Sequence, residues 1–156
     1  YTLSLLAALP IYIQLLDDVT RAGTCYFWEQ ANPDTGLVKD RCNARAATTD
    51  NTIVASIAAT GFGLTALSIG ESRNYLSYSE AADRVVATLR FLWKKLANHR
   101  GFFYHWADVH TGERIWDSEI SSVDTAILLC GVLTARAHFR NREITELASA
   151  IFNRVD

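Results

Sequence analysis

Two stretches of this 156-residue chain gather the side chains that can do chemistry. The first carries Tyr26, Phe27, Trp28, Asp34, Asp40, Arg41 and Arg45. The second, GFFYHWADVHTGERIWDSE at 101–119, carries Phe103, Tyr104, His105, Trp106, Asp108, Trp116, Asp117 and Glu119. Flat aromatic faces beside carboxylates suit a sugar ring, because stacking covers its C–H face while the carboxylates accept from its hydroxyls. Cleaving a glycosidic bond needs two carboxyl groups, one protonated to donate to the leaving oxygen and one ionised as base or nucleophile. Asp40, Asp108, Asp117, Glu119 and Asp124 are the candidates. Asp124 has a competing duty, since Ser121-x-x-Asp124 has the form of a capping box at a helix start. Glu119 precedes that cap and has no such duty, which makes it the better working carboxyl. Beside Trp116 and ahead of an apolar helix, its carboxyl pKa is expected to be raised by desolvation, as a proton donor requires. For any single aromatic, the competing reading is that it packs its loop onto the helices beneath.

Other chemistries find less support. His99, His105, His110 and His138 show no metal-binding spacing, and Cys25, Cys42 and Cys130 form no CxxC pair, so neither metal nor cofactor is expected. Cys25 and Cys42 are read into one long loop, where they pair in an oxidising compartment or remain free thiols. The glycines of GFG at 61–63 lie inside a helical pattern with no strand before them, which removes a nucleotide-binding reading. With 15 Lys+Arg against 17 Asp+Glu, the net charge of −2 excludes nucleic-acid binding through bulk positive charge. A content of 49% hydrophobic and 21% charged residues excludes disorder.

The elements that must hold these loops are helical. Residues 79–97 place Val85, Leu89, Leu92 and Leu96 on one stripe with Arg84, Arg90, Lys94 and Lys95 off it, which predicts an amphipathic helix with one wet face. Residues 142–154 repeat the pattern with Ile144, Leu147, Ala148 and Ile151. Residues 52–69 and 122–138 are instead apolar or small nearly all round, the mark of helices buried on every side, and Gly61, Gly63 and Gly131 point to close backbone approach. Ser77 with Glu80, and Ser121 with Asp124, supply helix starts. The apolar stretch Leu3–Leu16 is too short for a membrane span and lacks a basic leader or cleavage site, so it reads as a packed helix. A chain without methionine that begins at Tyr1 is expected to be a processed product or a piece of something longer.

Buried and amphipathic helices alternate, with long connections entering the buried ones and short turns leaving them. A repeat accompanies this order: DTGLVKD at 34–40 precedes a helix containing GLTA at 63–66, and HTGERIWD at 110–117 precedes one containing VLTA at 132–135. The resulting fold class is all-α: stacked αα-hairpins forming an α/α toroid or a solenoid, and a toroid would set the long loops at one end around a central cavity.

Four ordered blocks carry a resemblance: PDTGLVKDR at 33–41, SIAATGFGLTAL at 56–67, GFFYHWADVHTGER at 101–114 and SEISSVDTAILLCGVL at 118–133. Together they resemble the bacterial glucoamylase-like family, which includes endo-β-1,2-glucanases and a domain of cyclic β-1,2-glucan synthases. The resemblance implies that residues 1–156 are the N-terminal part of an (α/α)6 catalytic domain of a glycoside hydrolase, periplasmic or secreted, acting on a β-linked glucan. It implies catalytic duties for Glu119, Asp40 and Asp124. Arg41, Tyr104, His105, Trp106, Asp108, Trp116 and Asp117 are then substrate-binding residues, and the substrate is an oligosaccharide or polysaccharide. Five helices are fewer than a closed toroid needs, so the apolar sides of the helices bearing Ile53, Ile57, Ile127 and Leu128 are expected to be open to water or covered by the rest of the toroid or another chain. A helical-repeat module that binds carbohydrate or a protein partner without catalysis is the competing reading.

Overall fold

The computed structural model describes residues 2–43, 45 and 51–156, with side chains from Leu9 onward. Five helices dominate: α1 (Thr2–Glu29), α2 (Ile57–Ser72), α3 (Tyr78–Lys94), α4 (Ser122–His138) and α5 (Arg142–Asn153). Helices α2 and α4 lie side by side and start at the same end, α3 and α5 pack together beyond them, and α1 leans on α2.

Local sequence explains each helix. Ser77 accepts from the Glu80 backbone N–H while Glu80 reaches back to the Ser77 N–H at 2.9 Å, a complete capping box for α3. Asn141 caps α5 through the N–H groups of Glu143 and Ile144, and Ser56 caps α2 through that of Ala59. The predicted stripes of α3 and α5 are buried through Val85, Leu89, Leu92, Ile144, Ala148 and Ile151. The two small-residue helices meet where expected: a methyl group on Gly131 would lie 2.0 Å from the Gly61 carbonyl oxygen, and one on Gly61 would lie 2.6 Å from the Leu128 Cα. No side chain larger than hydrogen fits either place.

Several expectations are corrected. The chain is mostly helical rather than all-α, because four short strands form at the loop end: β1 (Val54–Ser56), β2 (Asn98–His99), β3 (Phe102–Phe103) and β4 (Trp106–Asp108). β1 pairs antiparallel with β4, Ala55 opposite Ala107, so the two long loops are zipped together. Residues 52–56 are therefore loop and strand, and α2 begins only at Ile57. Helix α1 runs on to Glu29, so Cys25, Tyr26, Phe27 and Trp28 belong to its last turns and not to a loop. Cys25, Cys42 and Cys130 are free thiols.

Burial also differs from expectation. Ile57 and Leu128 are fully buried, since the α2–α4 contact and the strands cover them, while Ile53, Phe62, Ile69 and Val123 are exposed. The stretch Leu3–Leu16 is helical as predicted. The side chains of residues 3–8 lie outside the described residues, but Leu9, Ile11, Tyr12, Ile13, Leu15, Leu16 and Val19 stand exposed rather than packed. Among the described residues no helix is long and apolar enough to cross a membrane.

The sequence repeat is a structural one. In the first copy, Asn32 Oδ1 accepts from the N–H groups of Asp34 and Thr35, its carbonyl accepts from Gly36, and Ala31 pairs with Val38. In the second, Asp108 Oδ1 accepts from His110 and Thr111, its carbonyl accepts from Gly112, and Ala107 pairs with Arg114. Gly36 and Gly112 both take positive φ, 70° and 75°. The turns touch through Thr35 Oγ1, which donates to the Val109 carbonyl at 2.7 Å, and through Asn32 Nδ2 against His110 Nδ1 at 2.8 Å.

Candidate active site

The second loop folds into a closed ribbon. His105 N–H donates to the Glu119 carbonyl at 3.0 Å, Ile115 N–H to the Trp106 carbonyl at 3.2 Å, and Ser121 N–H to the Phe103 carbonyl at 3.0 Å. The buried Ser118 hydroxyl clips the middle, accepting from the Trp106 N–H and donating to its carbonyl. On its other edge the ribbon joins α2, whose first N–H, on Ile57, donates to the His105 carbonyl. Phe103 is buried beneath and its N–H donates to Thr125 Oγ1 of α4, so the ribbon is fixed to the starts of both inner helices.

This framework brings five predicted residues together. The His105 imidazole stacks on Trp106, with ring centres 3.9 Å apart and planes 16° from parallel. Its Nδ1 faces Glu119 Oε1 at 3.1 Å and its Nε2 lies 3.7 Å from Asp124 Oδ2. Trp116 stands edge-on to Trp106 at 6.2 Å, their planes 70° apart, making an open aromatic corner. Trp116 is 72% exposed. It is followed by Asp117, and both hold left-handed backbone, φ 56° and 50°, a conformation that costs a residue with a side chain energy and that here turns the indole outward.

Asp124 has the capping duty only in part. Its N–H donates to Ser121 Oγ, but the Ser121 N–H is taken by Phe103, so the carboxylate accepts from the Ser121 hydroxyl and turns its Oδ2 toward His105. The expectation for Glu119 is reversed. Its carboxyl is 70% exposed rather than desolvated, and its pKa is lowered, first by its own backbone N–H and then by His105. Glu119 is thus an ionised carboxylate at neutral pH in this arrangement.

The other predicted residues lie apart from this cluster. Among the described residues the Asp40 side chain pairs with its neighbour Arg41 at 2.5 Å, and Arg41 is otherwise largely exposed. Asp108 spends Oδ1 on the turn described above. Asp117 is fully exposed, with Arg114 3.9 Å away. Tyr104 is covered by the Arg114 guanidinium, 4.8 Å from its ring centre. Trp28 carries the Arg84 guanidinium at 4.2 Å and so packs α1 onto α3.

Arg114 and Ser118 are the residues that sequence reasoning missed. Arg114 also donates to the Ser118 carbonyl at 2.6 Å, locking the bend before Glu119. The repeat held a signal for it, since Arg114 stands where the first copy has the buried Val38, so the second copy must turn away from the core at this position. Among the described residues no group of three or more His, Cys, Asp or Glu side chains is placed to hold a metal ion.

Fold and site together describe a mostly helical chain of five helices carrying a carboxylate and tryptophan cluster at its loop end. No protein-family profile matches the chain. It is 32% identical over 138 residues to an exo β-1,2-glucooligosaccharide sophorohydrolase acting at the non-reducing end, from Parabacteroides distasonis, covering 85% of this chain and 18% of the relative. A glucoamylase-like protein of Bacteroides uniformis superposes with a TM-score of 0.76 at 27% identity, over 90% of this chain and 34% of that one. An endo-β-1,2-glucanase from Chitinophaga pinensis, solved with sophorotriose and glucose, gives 0.73 at 25% identity, over 90% and 35%. The chain is similar to glucoamylase-like and β-1,2-glucanase proteins over part of their length, spanning 18% of the curated relative and 34% and 35% of the two solved structures.

Proposed function

We propose that this chain forms part of the glucan-binding cleft of a glycoside hydrolase acting on β-1,2-linked glucans. The observation that carries the reading is the convergence of Glu119, His105 and Asp124 beside the Trp106–Trp116 corner, in a chain whose relatives act on β-1,2-glucans. The corner offers a face to a glucose ring while Glu119 offers an ionised acceptor at its edge. In glycosidic cleavage Glu119 then fits the ionised member of the carboxyl pair, and the proton donor is a second carboxyl. Asp40 and Asp124 remain the candidates within this chain. The exposed apolar side chains of α1, with Phe62, Ile69 and Val123, are the faces on which the remaining helices of a closed toroid sit.

Titrating the chain with sophorotriose while following tryptophan fluorescence tests the reading. Binding is expected to perturb the emission, and Trp116→Ala is expected to weaken affinity about tenfold, the scale of one lost stacking contact. A chain that responds equally to sophorotriose and cellotriose would remove the linkage preference. A Trp116→Ala chain that binds like the parent would remove the corner from the site.

A further inference from the structure

Glu119 is exposed and lies on a bend, so nothing in its own solvation fixes where its carboxylate points. Besides its own backbone N–H, what fixes it is one residue. His105 grips Glu119 twice, by its backbone N–H on the Glu119 carbonyl and by Nδ1 on the carboxylate. The imidazole itself has little freedom: one face lies on Trp106, its backbone is tied to Ile57 and Glu119, and its far nitrogen looks at Asp124. Of the two ring nitrogens only Nδ1 is within hydrogen-bond reach of a carboxylate, that of Glu119 at 3.1 Å, while Nε2 at 3.7 Å faces Asp124 as a charge neighbour. The charged groups facing this arrangement are Glu119 and Asp124 at its two nitrogens and Arg114, whose charge acts on Glu119.

We infer that His105 is the positioning residue of this site: held flat on Trp106, it aims the Glu119 carboxylate through Nδ1 while its other edge faces Asp124. The inference rests on the glucan-cleft reading for its purpose, but not for its geometry. The pKa of Glu119, lowered first by its own backbone N–H and next by the His105 hydrogen bond, agrees with it. A sugar-contacting role alone for His105 would leave Glu119 unchanged when the imidazole is removed.

The test is carboxyl-carbon NMR of the full chain with labelled glutamate, in the parent, His105→Phe and His105→Gln. His105→Phe keeps the stack on Trp106 and removes both nitrogens, and His105→Gln restores one neutral donor. The Glu119 titration midpoint is expected to rise toward the ordinary glutamate value of 4.5 in His105→Phe and to return part of the way in His105→Gln. Sophorotriose affinity should fall roughly tenfold in His105→Phe, the scale of one charge-assisted hydrogen bond. As a check that does not depend on the His105 variants folding, Glu119→Gln in the parent background should move the ring-nitrogen NMR signal of His105 Nδ1, because its carboxylate partner at 3.1 Å is replaced by a neutral amide. An unmoved Glu119 midpoint, or an unmoved His105 Nδ1 signal in Glu119→Gln, overturns the positioning role. Midpoints that move as expected in a chain that ignores sophorotriose keep the positioning role and discard the glucan reading.

Discussion

The turns Asn32–Gly36 and Asp108–Gly112 are built alike, down to the side-chain oxygen, the carbonyl and the left-handed glycine, yet they do different work. After the first, Leu37 and Val38 go straight into the core. After the second, Glu113 and Arg114 stay at the surface and the chain swings through Trp116 and Asp117 to Glu119. The turn is the shared anchor, and the chemistry sits where the second copy departs from the first.

Their surroundings separate them further. A methyl group on Gly36 would lie 1.9 Å from Thr88 Oγ1 and 2.7 Å from the Thr88 Cα, so the α3 backbone would have to move. One on Gly112 would meet the Phe91 ring at 2.7 Å, which can swing aside. Gly36→Ala is therefore expected to destabilise the chain by about 3–4 kcal/mol, and Gly112→Ala by about 1–2 kcal/mol, read from urea midpoints. Equal losses would mean that the strained φ dominates and the neighbours are irrelevant. Removing the turn acceptor comes next: Asn32→Ala and Asp108→Ala should each lose roughly 1 kcal/mol, and only the Asp108 variant should lower sophorotriose affinity, because only its turn leads into the cluster.

A smaller effect is expected of opposite sign. Asp117→Gly relieves one left-handed residue that packs against nothing, and should raise stability by about 0.5 kcal/mol while loosening the presentation of Trp116. A loss of stability would show that Arg114 and Asp117 matter more than the backbone strain.

The smallest effect concerns the two Ser-x-x-acid motifs. Glu80 in the complete box has its pKa lowered by the Ser77 side chain and then the Ser77 backbone. A carboxyl lowered in the folded state contributes stability above its ordinary value of 4.5, and that contribution fades as pH falls through the folded value. The parent should thus lose stability more steeply than Glu80→Gln below pH 4.5. Parallel curves would deny the box any pH-linked role.

Much of the fold was legible because helices announce themselves locally. The stripe from Val85 to Leu92 and the glycines at 61 and 131 are statements about neighbours that spacing alone can make. The strands were not legible, since Val54–Ser56 and Trp106–Asp108 are too short to show a period and acquire meaning only by pairing with each other. The reach of α1 to Glu29 was hidden by aromatic residues that suit a loop as readily as a last helical turn. In the site, residue types pointed to Glu119, Asp124 and the tryptophans. The His105–Glu119 hydrogen bond and the exposure of Glu119 depend on how the ribbon bends, and the bend is set by Ser118 and Arg114 hydrogen bonds that no spacing rule encodes.

The β1–β4 pairing also bears on the order in which the molecule takes shape. Val54–Ser56 leaves the ribosome well before Trp106–Asp108, and α3 lies between them, so the first edge waits for a distant partner. Closing that long loop carries most of its entropic penalty up front, after which the contacts from Phe103 to Thr125 are nearly local and add little further loss. The cluster around His105 is therefore expected to be among the last parts to become ordered, after the inner helices have met. Slow substitutions in β1 should delay appearance of the Trp106 environment during refolding without altering the helices that form first.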